Sequence, residues 1–334
     1  MKCSELVKEL LEVLSRFRDF EVKVGLYSDN GAIKFDNYMF DNVKRLDSSE
    51  GNVWKYIFTS NNVVAESVLY QYESFYKRTV ICCSTMSGCP VGCTFCGTGK
   101  RFIRNLKSEE IIQQITTILK DHDIENINGM GERFQIMFMS MGEPMLNWDN
   151  VENAIKELHR IYPNAELLIS TIGVNDDYVF SRIIKLSKEI DKIGLQFSIH
   201  KSNNLERAEL IPFRNKMELN KLRDAGLMWW KETGRKPYLN YCIDGTNNRI
   251  QDAVRLKNLF SPIIFNFTFS VVCSSDENMK EKGFKEINKI SEFSNEFLNE
   301  GYNVRVFNPA GQDDIGGGCG QLWYVQNWMN NYKK

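Results

Sequence analysis

From about residue 78 onward, short apolar runs alternate with segments in which apolar residues recur every three or four positions. The runs are rich in β-branched and aromatic residues and predict buried strands. The intervening segments, such as 107–120, 151–161, 252–260 and 284–301, have the spacing of amphipathic helices. The predicted strands are RTVICCST (78–85), RFQIMFMS (133–140), AELLIST (165–171), IGLQFSIH (193–200), KPYLNYCID (236–244) and IIFNFTFSVVC (263–273).

Six such β/α units imply parallel strands joined by crossover helices, and therefore an α/β fold. Because a closed eight-unit barrel usually needs a longer chain, the pattern favours an open, partial (β/α)6 barrel. Its active site is expected at the carboxyl ends of the strands. Residues 1–50 are interpreted as a reduced N-terminal accessory region, residues 51–77 as a β-hairpin extension, and residues 78–334 as the catalytic core.

Composition and charge narrow the class of protein. The 334 residues are 43% hydrophobic and 25% charged, which is ordinary for a globular protein. No apolar run is long enough to span a bilayer and no secretion signal is evident, so we expect a cytoplasmic protein without a membrane partner. The nine unevenly spaced cysteines suit metal and catalytic thiols better than a disulfide framework.

The net charge of −1 gives no attraction of the whole chain to nucleic acid, so RNA binding would depend on a local patch. Phe102 stands within a basic run that could contact phosphates and a base. A solvated loop is an equally good interpretation of this run. Its basic residues are Lys100, Arg101, Arg104 and Lys107.

The stretch GCPVGCTFCGTGK carries the clearest chemistry of the chain, because Cys89, Cys93 and Cys96 have the spacing C-x3-C-x2-C. Iron–sulfur clusters are normally held by four cysteines, so three leave one iron open for an outside ligand. The amino and carboxylate groups of S-adenosylmethionine (SAM) fit that position. A zinc site is the alternative, but no nearby histidine or fourth cysteine arm completes a tetrahedron.

Polar residues follow the next strands at their carboxyl ends, where a barrel places its active site. In MGEP, the glycine permits close backbone approach and the glutamate offers a carboxylate to the ammonium of a bound amino acid. Together these residues form the predicted cofactor-binding set. They are Gly142, Glu143, Ser170, Ser198, Ile199 and His200.

Through these and further motifs, residues 52–334 resemble the RlmN/Cfr family of radical-SAM RNA adenine methyltransferases. The resemblance rests on CCSTMSGCPVGCTFCGTGKRFIRNL, FMSMGEP, LLISTIG, FSIHKSNNLERAELIPF, NYCIDGTNN and above all DDIGGGCGQL. It implies a [4Fe-4S] cluster held by the three cysteines, with SAM as cofactor. It also implies that Cys319 carries the methyl group, that Cys82 resolves the intermediate, and that Glu66 accepts a proton.

The same resemblance implies methylation of an sp2 carbon, C2 of an adenine in a loop of ribosomal or transfer RNA. One SAM would methylate Cys319, and a second would be cleaved to a radical that activates this methyl group. Cys82 would then release the product by forming a disulfide with Cys319. An electron donor such as flavodoxin or ferredoxin is the expected protein partner.

Residue context agrees with these two assignments. Cys319 is surrounded by four glycines, and a mobile, unencumbered thiol suits a covalent carrier. Since alternate strand positions point to opposite faces, only one of Cys82 and Cys83 can face the site. The chain departs from the family near Cys273 and Ser274, which stand where a SAM-contacting asparagine is expected.

Two other functions fit parts of the sequence. One is a radical-SAM enzyme with the same core that acts on a free nucleotide, a peptide or another small molecule. The other is a non-catalytic iron–sulfur or zinc protein that binds a partner.

Overall fold

The computed structural model describes residues 40–61, 63–273, 287–307, 311, 314–318 and 320–322. Cys319 and residues 1–39 of the predicted N-terminal accessory region lie outside the described residues.

Twelve strands are present in the described part of the chain. They are β1 (Asn42–Asp47), β2 (Val53–Ser60), β3 (Val63–Tyr72), β4 (Arg78–Cys83), β5 (Met86–Gly88), β6 (Phe102–Asn105), β7 (Phe134–Phe138), β8 (Glu166–Thr171), β9 (Ile193–Ser198), β10 (Tyr238–Ile243), β11 (Asn266–Val271) and β12 (Val304–Phe307).

Ten of these strands form one sheet in the order β1-β2-β3-β4-β7-β8-β9-β10-β11-β12. The first four are antiparallel neighbours, and from β4 to β12 every pairing is parallel. The prediction of an open α/β partial barrel is confirmed, and β12 adds a strand beyond the six that open the predicted β/α units. The small β5–β6 pair forms a separate sheet.

Helices connect successive parallel strands, as a right-handed crossover requires. Their apolar residues face the sheet, for example Ile111, Ile115 and Ile118 of the first long helix, which are fully buried. The helices are α1 (Ser108–Asp121), α2 (Ile127–Met130), α3 (Trp148–Ile161), α4 (Asp177–Glu189), α5 (Asn204–Leu210), α6 (Leu219–Thr233), α7 (Ile250–Leu259) and α8 (Ile287–Leu298).

The curled sheet brings its two sides together without a hydrogen-bonded closure. Tyr70 of β3 and Phe307 of β12 form an edge-to-face ring contact with centroids 5.8 Å apart. On this inner side, Val68, Val80 and Cys82 form an apolar cluster with Leu322 of the C-terminal segment. A larger apolar core lies between the other face of the sheet and the helices. The inner side is therefore left with space for a ligand.

None of the described helices has the length and apolar character that crossing a membrane requires.

Candidate active site

The three predicted cluster cysteines lie in a loop whose two ends are tied together by β5 and β6. Ser87 pairs with Arg104 in this small sheet, and the Cys89 amide donates to the Arg101 carbonyl at 2.8 Å. Gly88 has a φ of 74°, and a Cβ at this position would lie 2.1 Å from the Arg101 oxygen. Only glycine permits the backbone at residue 88 to come this close to the backbone at Arg101. The short loop therefore holds three thiols near one another.

The electrostatics of these thiols fit a cationic cluster. Burial raises the pKa of Cys89 to about 12. Burial also raises the pKa of Cys93 well above its ordinary value, and the charges of Cys96 and Cys89 raise it further. Without a cation Cys89 and Cys93 would stay protonated, whereas bound metal converts such thiols to thiolates. A set of three cysteine sulfurs matches a [4Fe-4S] cluster with one open iron.

Glu143 lies beside this loop and is nearly fully buried. Its Oε2 accepts from the Ile172 amide at 2.8 Å, and its Oε1 accepts from the Met145 amide at 3.1 Å and from the Thr171 hydroxyl. Burial raises the pKa of Glu143 to about 7, and these hydrogen bonds act in the opposite direction. The charge of Glu143 in turn raises the pKa values of Cys89 and Cys93. A carboxylate is thus held next to the thiols.

Gly142 permits this approach. Its φ is 97°, and a Cβ there would lie 2.6 Å from the Cβ of Met86 and 2.8 Å from the Thr85 hydroxyl. Any side chain at this position would push the MGEP turn away from the β4–β5 connection, so the predicted need for glycine has a steric basis.

His200 contacts the cysteine loop through a neighbouring aromatic ring. Phe95, between Cys93 and Cys96, packs edge-to-face on His200 with centroids 5.3 Å apart. The Nδ1 of His200 accepts from the Cys242 amide at 3.1 Å. The backbone of His200 has a φ of 58°, which is unusual for a residue other than glycine. Burial lowers the pKa of His200 to about 3, so the ring is neutral.

The other predicted strand-end residues are mainly structural in their contacts. The Ser170 hydroxyl accepts from the Gln196 side chain at 3.1 Å. Ile199 is fully buried, and its amide donates to the Asn240 carbonyl at 3.0 Å. The Ser198 carbonyl accepts from Arg207 at 3.4 Å.

Arg207 is a charged residue that the sequence analysis did not identify. Its guanidinium is fully buried and donates to the Met217 carbonyl at 2.7 Å and the Ile172 carbonyl at 2.6 Å. Burial lowers its pKa to about 10, and the charge of Cys93 opposes that shift. A buried cation therefore lies close enough to stabilise negative charge at the cysteine loop.

A cavity of about 390 Å³ extends along the inner face of the sheet, within the usual range of small-molecule and cofactor sites. Cys82 and Cys96 both line it, together with Gly318 and Gly320, the neighbours of Cys319. Cys83 is fully buried in the core on the other face of β4. The strand alternation thus directs Cys82 to the cavity.

The segment on either side of Cys319 is attached to the cysteine loop and to β3. The Gly97 amide donates to the Gly320 carbonyl at 2.8 Å, and the Thr98 hydroxyl donates to the Leu322 carbonyl at 2.6 Å. The Tyr70 hydroxyl donates to the Gly317 carbonyl. These contacts bring both neighbours of the predicted carrier to the same cavity as Cys82.

Cys273, one of the two residues that could stand where an asparagine was expected, also lies against this segment. Its side chain is buried, and a Cβ on Gly318 would come within 2.5 Å of its sulfur. Ser274 lies outside the described residues.

Glu66 is fully buried and pairs with Lys55 of the adjacent strand, with Oε1 and Nζ 2.5 Å apart. The same Nζ donates to the Gly316 carbonyl at 3.3 Å. Through Lys55, Glu66 is connected to the segment that leads to Cys319. The sequence analysis did not identify Lys55, because a single lysine in a strand gives no signal of burial.

Arg104 has a different position from the one the basic run suggested. Both of its terminal nitrogens bind Glu110, at 2.8 and 2.6 Å, and Glu110 is fully buried. The Glu110 carboxylate also accepts from the Lys107 amide at the start of α1. Arg104 therefore anchors the helix, whereas Arg101 and Phe102 are exposed.

Two other arginines line the cavity. Arg78 stacks on Tyr72 at 4.4 Å and donates to the Gln135 side chain at 2.9 Å, and Arg305 stacks on Tyr238 at 4.1 Å. Neither forms an ion pair with a carboxylate of the described residues. Burial lowers the pKa of Arg78, and the nearby charge of Arg305 lowers it further. Counting back from Cys82 in steps of two would have placed Arg78 on the same face.

Comparison with known proteins places this site in a family. The radical SAM superfamily matches residues 83–256, over half of the chain. A probable dual-specificity RNA methyltransferase RlmN of Thermotoga petrophila is 29% identical over 89% of this chain and 82% of its own length. The ribosomal RNA large subunit methyltransferase N of Nitrosopumilus maritimus is 31% identical over 84% of this chain and 79% of its own length.

A solved structure is also similar. The radical SAM methyltransferase of Sphaerobacter thermophilus superimposes with a TM-score of 0.68 and 26% identity, over 83% of this chain and 79% of that one. The [4Fe-4S] cluster and SAM are the cofactors of the superfamily. The chain therefore belongs to the radical SAM superfamily and, within it, to the RlmN methyltransferases.

Proposed function

We propose that this protein methylates C2 of an unstacked adenine in ribosomal or transfer RNA, with Cys319 as the methyl carrier. The observation that carries the proposal is that Cys82 faces the same cavity as Cys96 and both neighbours of Cys319. A cluster-binding cysteine, a resolving thiol and the carrier segment are thus brought to one space. The names of the relatives supply RNA as the substrate class.

Adenine C2 lies between two ring nitrogens and is electron-poor, so it does not attack the electrophilic methyl group of SAM. When bound, the cluster and SAM supply a radical that activates a methyl group for addition to such a carbon. The chain itself has to hold the carrier, the target base and the resolving thiol together, and exclude water around them. The buried, partly apolar cavity provides these conditions.

Cys82 acts after the new carbon–carbon bond has formed. Its thiolate attacks the sulfur of Cys319, a disulfide forms, and the carbon–sulfur bond breaks with its electron pair on the product carbon. That carbon then takes a proton. Before this step the adduct has to lose the C2 proton and its unpaired electron, which the bound cluster would accept. Glu66 is the proposed acceptor of the ring proton, and its ion pair with Lys55 holds its carboxylate near the segment that leads to Cys319.

Glu143 and the strand-end residues hold SAM. The Glu143 carboxylate would accept from the ammonium group of the methionine part, and Gly142 lets the turn that carries it lie close to Met86 and Thr85. Neutral His200, which packs on Phe95 of the cysteine loop, and the strand-end residues Ser170, Ser198 and Ile199 are proposed to support the bound SAM. Reduction of the cluster requires an electron donor, for which a flavodoxin or ferredoxin is proposed.

Arg78 and Arg305 favour a polyanionic substrate over a neutral one. Two guanidinium groups at a cavity with no carboxylate partner in the described part of the chain attract phosphate. This local charge offsets the net charge of −1 of the whole chain. Duplex RNA hides its base edges, so the target is an adenine in a loop that can leave its stack.

Mass spectrometry of nucleosides tests the proposal. Ribosomal and transfer RNA are compared between cells that lack RlmN activity, cells that express the wild type, and cells that express Cys319→Ala. We expect 2-methyladenosine only with the wild type. Robust SAM turnover on a small molecule or peptide, with no change in RNA, would favour a non-RNA substrate instead.

A further inference from the structure

Asn240 has an unusual environment for a buried polar side chain. It lies in the middle of β10, is only 5% exposed and lines the cavity that Cys82 and Cys96 share. Its carboxamide forms no hydrogen bond within the described residues; only its backbone carbonyl is engaged, by the Ile199 amide. Because Asn240 lines the cavity and its amide has no protein partner among the described residues, this amide is available to a ligand that enters there.

The position of Asn240 across from the resolving thiol indicates which part of a ligand it would meet. In the sheet order, β4 and β10 are separated by three strands, and the sheet is curled around the cavity. A planar base in this cavity therefore lies between Cys82 and Asn240. If its C2 faces the two thiols, the edge on the far side of the ring faces Asn240.

In adenine that far edge carries the 6-amino group and N7. An asparagine carboxamide matches this pair, because its oxygen accepts from the amino group and its nitrogen donates to N7. Gln196 and Thr268 line the cavity on the strands beside Asn240, and Thr268 is its register partner. We propose that Asn240 reads the 6-amino and N7 edge of the target adenine and so determines base specificity. This inference rests on the proposed function and adds a specificity residue to it.

The test compares two RNA hairpins that differ only at the target base, which is adenine in one and purine, without the 6-amino group, in the other. For the wild type, kcat/KM is expected to be about 10- to 100-fold higher with adenine, the usual worth of a bidentate base contact. Asn240→Ala should lower kcat/KM for the adenine hairpin by a larger factor than for the purine hairpin, which has only N7 to lose as a partner. The preference for adenine would then disappear.

Asn266→Ala is the matched control, because Asn266 is a similarly buried asparagine on the adjacent strand and does not line the cavity. This control should keep the preference for adenine. If Asn240 has only a structural role, Asn240→Ala should lower kcat/KM for both hairpins by the same factor. If Asn240 binds SAM, the variant should raise the KM for SAM and keep the preference for adenine. Either result overturns the inference while the proposed function stands.

Equal rates of the wild type on the two hairpins would also overturn it. If the wild type methylates neither hairpin nor cellular RNA, the proposed function fails and the inference fails with it.

Discussion

Lys55 and Glu66 lie on neighbouring antiparallel strands and form an almost fully buried ion pair, whose lysine also binds the Gly316 carbonyl. With the bond from Tyr70 to the Gly317 carbonyl, this contact connects the β2–β3 hairpin to the segment that leads to Cys319. The pair contributes to stability, and the proposed function gives Glu66 a second role in proton transfer.

Removing one partner of this pair is expected to cost far more than removing both. Glu66→Gln should lower the free energy of unfolding by about 3–5 kcal/mol, because it leaves a buried charge without its partner. Lys55→Met combined with Glu66→Leu should recover most of that loss. Urea unfolding of the wild type, Glu66→Gln and the double variant measures these differences in the free energy of unfolding.

Activity separates the two roles of Glu66. If Glu66 accepts the ring proton, the stable double variant still fails to form product although it cleaves SAM. Full product formation by that double variant would show that product formation needs neither the Glu66 carboxylate nor the bond from Lys55 to the Gly316 carbonyl.

Arg305 and Arg104 should respond differently to neutralisation. Arg305→Gln is expected to weaken RNA binding and to reduce the slope of log K against log salt by about 0.7 for each phosphate that the variant no longer neutralises, with uncoupled SAM cleavage unchanged. Arg104→Gln should lower the unfolding temperature, because it removes the fork that binds buried Glu110. Filter binding at several salt concentrations and thermal unfolding measure the two effects. If Arg104→Gln is fully stable and shows a reduced salt slope, Arg104 contacts RNA and its role as an anchor of the helix is wrong.

The contrast between these arginines shows where sequence reasoning ends. The basic run around Arg104 is visible in the sequence, but its ion pair with Glu110 depends on how β6 approaches α1. Arg305 stands in a short strand that has no motif of its own. Which arginine is available to a ligand is decided by tertiary packing and not by local composition.

The fold was predictable because the pattern that forms its strands is local in the sequence. Parallel strands buried on both faces read as continuous apolar runs, and each run found in the sequence is a strand of the sheet. The cysteine loop was equally clear, because its three cysteines are close in sequence. Asn240, Lys55 and Arg207 were not, because each gains its meaning only from burial beside residues far away in the chain.

His200 should contribute a pH dependence to stability. Burial lowers its pKa to about 3 in the folded protein, from about 6.5 in the unfolded chain. Between these values only the unfolded state binds the proton, so the stability that His200 contributes is complete above about pH 6.5 and is lost as the pH falls.

His200→Asn tests this effect, because asparagine tolerates a positive φ and can still accept from the Cys242 amide. Its free energy of unfolding should fall less steeply than that of the wild type as the pH is lowered from about 6.5. Parallel curves for the two proteins would mean that His200 is protonated in the folded state as readily as in the unfolded chain.

The central claim is that Cys82 and Cys319 act on one RNA adenine in a shared cavity, and covalent trapping in Cys82→Ala tests it most directly. Without the resolving thiol, the bond between the Cys319 methylene and the base cannot be released. Protein purified from expressing cells and digested with nuclease and protease should yield a Cys319 peptide linked through one carbon to an adenine nucleotide. Cys83→Ala, on the opposite face of the strand, should give no adduct. An active Cys82→Ala enzyme with unmodified Cys319 and no linked nucleotide would contradict the account.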